Sequence, residues 1–224
     1  MTYDEGREVL DLFKTAFMGY CGVVLIGGTR MIMNDDPKRV LFGITELGPV
    51  IRENCPKSFV LGVIPRLQEV VFHREATMLK VVHCIGETGS PDHTTIVHPN
   101  QDMVVGVNKR LLPDKPIWDD EVEFRRYVTH VLRMYGEWRS VLIAYNGGGT
   151  TEREVIATAD QGWPVILIKG SGRATDKLAE DKSFLRAHPS VRVCEHSAAA
   201  LQLELMDLEA LPPETPRIRS LRLA

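Results

Sequence analysis

The chain has 224 residues, 44% of them hydrophobic and 25% charged, the balance of an ordinary globular domain with a sizeable core. Its formal net charge of −3 forces no basic face, which argues against a nucleic-acid binder. No apolar run approaches the roughly 18 residues of a membrane span, and the acidic start MTYDEGREVLDLF lacks the basic-then-apolar order of a signal peptide. A cytoplasmic protein without membrane contact is expected.

Residues 4–18 carry Val9, Leu12, Phe13 and Phe17 at helical spacing, so an amphipathic helix opens the domain. Residues 22–26, GVVLI, are too short and too β-branched for a helix and read as a buried strand. That strand stops at Gly27-Gly28-Thr29-Arg30. After a polar segment at 34–38, residues 43–52 form a weak helix, because Gly48 and Pro49 interrupt it. Residues 58–65, SFVLGVIP, are a second strand, ended by its proline.

Between 66 and 115 the pattern loosens. Short strands are expected at 80–85, 94–97 and 102–107, within a region of long loops over the ligand edge. A clear helix then runs from 118 to about 135, capped by Asp119 or Asp120, with Val122, Tyr127, Val131, Leu132 and Tyr135 as its apolar contacts. That face suits an interface and a core equally well.

The chain is organised around VLIAYNGGGTTEREVIATADQGWPVILIKGSGR, residues 141–173. It reads as strand (140–144), glycine loop, helix (151–161) stopped by Gly162, strand (163–168) and second glycine loop. A helix at 174–181, a strand at 191–194 and a helix at 197–208 follow. Strands alternating with helices indicate an α/β fold: a doubly wound, mainly parallel sheet with helices on both faces. One domain is expected over 1–210, with an irregular tail over 211–224.

The four cysteines, Cys21, Cys55, Cys84 and Cys194, show no C-x-x-C pair and are expected as buried, reduced thiols. His73, His83, His98, His130, His188 and His196 have no metal-ligand spacing. Neither a metal nor a cofactor is expected. Trp118, Trp138 and Trp163 read as packing residues.

Three loops carry the chemistry: Gly27-Gly28-Thr29-Arg30, Gly147-Gly148-Gly149-Thr150 after Asn146, and Gly170-Ser171-Gly172-Arg173. Each follows an apolar strand. Glycine lets backbone approach a phosphate, and the N–H groups of the next helix point at the anion. Thr29, Thr150 and Ser171 add hydroxyls, and Arg30 and Arg173 add forked guanidinium groups. None of the loops is G-x-x-x-x-G-K-[ST] or G-x-G-x-x-G, so neither a P-loop nor a dinucleotide fingerprint is present.

The GGT loop, the NGGGTT-E-E segment and GWPVILIKGSGRATDKLA together resemble the SLOG superfamily. Within it they are most similar to the prokaryotic relatives of the N-terminal domain of TRPM (melastatin-type) channels. The turn Ser90-Pro91-Asp92-His93-Thr94 is similar to the PNHTH turn of that domain. The resemblance implies a Rossmann-like fold that recognises a nucleotide-derived ligand, with ADP-ribose and its NAD-derived or cyclic relatives as the associated class. Carried over by motif, Gly27, Gly28 and Thr29 face one phosphate, Gly147–Thr150 cradle phosphate or ribose, and Gly170–Arg173 close the other side. Arg173 is then the anion clamp. His93, a titratable residue in its turn, is either a further contact to base or phosphate or a plain loop histidine.

Relatives of the Lonely Guy (lysine-decarboxylase-like) type are phosphoribohydrolases that cut nucleoside 5′-monophosphates at the N-glycosidic bond. Their GGxGTxxE signature places a glutamate at the ribose. Here the register is open. Counting from Thr150 the position holds Arg153, and counting from Thr151 it holds Glu154, the candidate catalytic residue. One step along a helix is a rotation of about 100°, and the partner arginine of those enzymes has no evident counterpart in the sequence. Two first-turn carboxylates, Glu152 and Glu154, favoured by the helix dipole, are the plainer reading. The expected function is therefore a non-catalytic sensing module in stress or conflict signalling, working through a homo-oligomer or a separate effector protein. The alternatives are a phosphoribohydrolase and a scaffold with a vestigial pocket.

Overall fold

The computed structural model describes residues 3–28, 38, 42–65, 69–72, 81–86, 94–97, 101–108 and 120–210. The chain begins with α1 (Tyr3–Ala16) and β1 (Gly22–Gly27). A π-helical turn, Phe42–Glu46, leads into α2 (Leu47–Asn54), followed by β2 (Ser58–Pro65), β3 (Glu69–Phe72), β4 (Val81–Gly86), β5 (Thr94–Val97) and β6 (Met103–Asn108). The second half runs α3 (Asp120–Gly136), β7 (Arg139–Ala144), α4 (Gly149–Ala159), β8 (Val165–Lys169), α5 (Arg173–Glu180), α6 (Lys182–Ala187), β9 (Val191–Glu195) and α7 (Ala198–Ala210).

Among the described residues seven strands form one sheet in the order β4-β6-β2-β1-β7-β8-β9, while β3 and β5 form a separate pair. Every pairing is parallel. The central strands are continuous apolar runs because both of their faces are covered. Alternate residues go to opposite sides. Val23, Leu25, Leu142, Ala144, Val165 and Leu167 join one core with residues of α1, α3, α4 and α5. Val24, Ile26, Val141, Ile143, Ile166 and Ile168 join the other with Leu47 and Ile51 of α2 and Leu201 and Leu205 of α7. The expected α/β, doubly wound Rossmann-like architecture is present.

Several elements differ from the sequence expectation. Within 66–115 the strands expected near 80–85, 94–97 and 102–107 are present as β4, β5 and β6, of which β4 and β6 extend the main sheet, and β3 was not anticipated; the expected long loops lie outside the described residues. Pro49 does not end α2, because it falls in the helix's first turn, where proline is tolerated. In α1, Leu12 points to solvent and Leu10 joins Phe13 and Phe17 in the core. α6, also unforeseen, is nucleated by Asp181, whose side chain accepts from the N–H groups of Ser183 and Phe184. The apolar face of α3 belongs to the core, through Val128, Val131 and Leu132. Cys21 is exposed, whereas Cys55 and Cys194 are buried free thiols. The side chain of Cys84 lies outside the described residues, as does the tail 211–224. No helix among the described residues is long and apolar enough to cross a membrane.

Candidate functional site

β1 lies between β2 and β7. From β1 the chain passes over one face through α2 to reach β2, and from β7 it passes over the other face through α4 to reach β8. The carboxyl ends of β1 and β7 are thus the point where the winding reverses, the place at which open α/β sheets bind ligands.

The first two glycine loops meet there backbone to backbone. Gly28 has φ +90°, and a Cβ on it would press on the Tyr145 carbonyl oxygen and sit 2.8 Å from the Gly147 nitrogen. The Tyr145 N–H also donates to the Gly27 carbonyl at 3.0 Å. Asn146 (φ +61°) and Gly147 (φ +76°) then turn the chain sharply into α4, whose N-cap, Gly148, offers no side-chain acceptor. The N–H groups of Gly149 and Thr150 consequently find no acceptor among the described residues. Open amides at a helix start, beside glycine backbone, make an anion-binding end.

The third loop has a different role from the second. The Gly170 N–H donates to Asp176 Oδ1 at 2.7 Å and the Ser171 N–H to the Ile168 carbonyl. Ser171 is fully buried, and its Oγ accepts from the Asn146 N–H at 2.9 Å. The Thr175 hydroxyl donates to the Asn146 carbonyl at 2.8 Å, and the Ala174 N–H donates to that of Gly147. The start of α5 is therefore engaged in bracing the second loop, and the side chain it presents outward is that of Arg173. This residue is exposed, has φ +47°, and carries its Nη2 3.0 Å from where a Cβ on Gly148 would lie. A left-handed backbone at a non-glycine residue is strained, and the hydrogen bonds from Ala174 and Thr175 to the second loop hold it.

Below the loops lies a buried ion pair that the sequence reading missed. Arg125 of α3 donates from Nη1 to Glu154 Oε2 at 3.1 Å, with both side chains about 95% buried, and from Nη2 to the Val63 carbonyl of β2 at 3.1 Å. Gly27 makes room for the pair, because a Cβ there would sit 2.9 Å from Glu154 Oε2 and 3.6 Å from Arg125 Nη1. Burial pushes the Glu154 carboxyl above its ordinary range, against the opposing pull of Arg125 and then Arg153. Glu154, the position reached by counting from Thr151, thus points inward, whereas Arg153, reached from Thr150, is exposed. Glu152 turns to the surface and pairs with Lys177 at 2.7 Å. Arg125 was detectable: with Val128 and Leu132 it occupies the i, i+3, i+7 face of α3, so it is a charge on an apolar stripe.

Tyr145, fully buried, shares a 2.6 Å hydrogen bond with His196 Nε2, and its ring stacks on Phe42. It joins the ends of β1, β7 and β9. Of the anticipated residues, Gly27, Gly28, Asn146, Gly147, Gly148, Gly149, Thr150, Glu154, Gly170, Ser171, Gly172 and Arg173 come together at this edge. Thr29, Arg30 and His93 lie outside the described residues.

The family described as SLOG in TRPM, prokaryote, matches residues 43–214, about three quarters of the chain. The chain belongs to this family. The SLOG match starts after β1 and its glycine loop, yet the sheet seats β1 at its centre, so the first loop is part of the same edge. Among curated proteins none matches the chain. A solved crystal structure, TM1055, a structural-genomics target, is similar with a TM-score of 0.46 and 17% identity, covering 83% of this chain and 98% of that one.

Proposed function

We propose that this SLOG protein binds a nucleotide-derived ligand, of the ADP-ribose-like, NAD-derived or cyclic class, across the carboxyl ends of β1 and β7. The observation that carries this reading is the uncapped start of α4: the open amides of Gly149 and Thr150 with the Arg173 guanidinium beside Gly148. A phosphate seated there receives backbone N–H donors, the positive end of the α4 dipole and a forked cation. Thermal stabilisation in a series of AMP, ADP, ADP-ribose, NAD and cyclic ADP-ribose tests it. At least one phosphate-bearing member is expected to raise the melting temperature, and Arg173→Asn, which keeps a residue tolerant of positive φ, to abolish the shift. No shift with any of them would return the loops to a purely structural role. A homo-oligomer or a separate effector protein as the output belongs to the same proposal, and sedimentation with and without ligand reads the first.

A second reading, N-glycosidic hydrolysis of a nucleoside 5′-monophosphate, is favoured by one observation: Glu154 is inward and held by Arg125. Cleavage at the ribose develops positive charge on the sugar. A carboxylate anchored next to the phosphate cradle suits stabilisation of that charge or activation of water, and a carboxyl with a raised pKa in a water-poor site is a candidate for proton transfer. Free base released from AMP, with loss of about 100-fold or more in rate on Glu154→Gln, is the expected result of this reading. Ligand recovered intact after prolonged incubation leaves binding alone.

A further inference from the structure

We infer that His196 is a positioning residue of the nucleotide site, fixing the second glycine loop through the hydroxyl of Tyr145. The inference rests on the nucleotide-binding reading above and deepens it, because it names a residue that sets affinity without touching the ligand. Tyr145 sits at the seam of the first two loops. Its N–H donates to the Gly27 carbonyl at 3.0 Å, its own carbonyl lies against Gly28, and Asn146 and Gly147 follow it at φ +61° and +76°. The position of the Tyr145 main chain therefore sets where the open amides of Gly149 and Thr150 stand.

The Tyr145 side chain is fully buried. β7 and β9 flank β8, so they stand about 10 Å apart, twice the spacing of neighbouring strands. The phenol spans that gap to His196 Nε2 at 2.6 Å, on the residue that follows β9. The imidazole is seated in turn. Its Cβ lies 3.4 Å from where a Cβ on Gly170 would be, and its ring meets Phe42 edge-on at 4.6 Å between centroids. Phe42 also stacks on Tyr145 at 5.6 Å. A phenylalanine at position 145 would fill the same core, so packing alone does not call for the hydroxyl. The hydroxyl adds a fixed tie from the end of β7 to the end of β9. Without the tie, the share of molecules holding the loop in its binding arrangement falls, and apparent affinity falls with it.

Titration calorimetry of the full chain with ADP and ADP-ribose tests this in the parent, Tyr145→Phe, His196→Leu, the double variant and His196→Gln. Each of the first two substitutions is expected to weaken binding about threefold to tenfold, the scale of one net hydrogen bond. The double variant is expected to lose no more than either single one, since both remove the same tie. His196→Gln, whose amide can still bond the phenol, is expected to stay near the parent. In the ligand-free chain the Asn146 N–H, which donates to Ser171 Oγ at 2.9 Å, is expected to exchange faster in Tyr145→Phe. Tyr145→Phe loses a single oxygen atom, so it and His196→Gln carry the test even if His196→Leu does not fold. Parental affinity or parental Asn146 exchange in Tyr145→Phe, or single losses that multiply in the double variant, overturn the inference and leave the nucleotide site standing. A parent that binds neither ligand overturns the site and the inference together.

Discussion

At the scale of single residues, Gly28 and Glu154 carry the most. Gly28 combines φ +90° with backbone contact to Tyr145 and Gly147, so an added methyl group has neither a favoured conformation nor space. Gly28→Ala is expected to lower stability by more than about 1 kcal/mol, read from the urea midpoint. An unchanged midpoint would mean that the first two loops do not pack as described. For the ion pair, Glu154→Ala leaves the Arg125 guanidinium buried without its carboxylate, a loss of about 3–5 kcal/mol, whereas Glu154→Gln keeps an acceptor and costs less. The pH dependence has a definite sign. Burial, the larger influence, raises the Glu154 pKa above its ordinary 4.5, so the folded state holds this proton more tightly than the unfolded chain. The contribution is complete below the unfolded value and is lost as pH rises through the folded one. The stability of the parent minus that of Glu154→Gln is therefore expected to fall as pH climbs from 4.5, by no more than about 1.4 kcal/mol per unit. A difference that instead rises with pH would show that Arg125 outweighs burial.

Among the elements, the α4–α5 pair determines whether the second loop is held. Thr175 is fully buried and ties α5 to the Asn146 carbonyl through both its hydroxyl and its N–H. Thr175→Val keeps the shape and removes only the hydroxyl. It is expected to cost about 0.5–1.5 kcal/mol, the worth of one hydrogen bond, because the Asn146 carbonyl keeps the Thr175 N–H, and to weaken nucleotide binding, without touching the ligand. Normal affinity in that variant would show that the loop holds its shape without the brace. This unit was legible from sequence because apolar strand, glycine turn and amphipathic helix follow one another in a short stretch. α2 was under-read because a proline is ambiguous until its place in the helix is known. Arg125 was missed because its partner is 29 positions away, and a charge on an apolar face states that it needs a partner without naming one. Which of Arg153 and Glu154 turns inward could not be read from sequence either: the motif can be counted from Thr150 or from Thr151, and burial is decided by packing, which covers Glu154 and leaves Arg153 exposed.

For the whole molecule, the sheet order explains why the site lies where it does. The winding reverses between β1 and β7, and these two strands lie in the interior of the sheet with both faces covered. Amide exchange is expected to be slowest in β1 and β7, and faster in β9, the last strand of the described sheet. Strand order is a non-local property. The alternation of apolar strands and helices showed that the sheet would be parallel, but it did not show that β4 and β6 would continue it beyond β2.

The most direct test of the account is a nitrogen-15 amide spectrum of the full chain titrated with ADP-ribose. The Gly149 and Thr150 amides are expected to shift most strongly, as open donors gaining an acceptor, while those of Ala174 and Thr175, already bonded, move little. Saturable shifts centred elsewhere, with Gly149 and Thr150 unmoved, would contradict it.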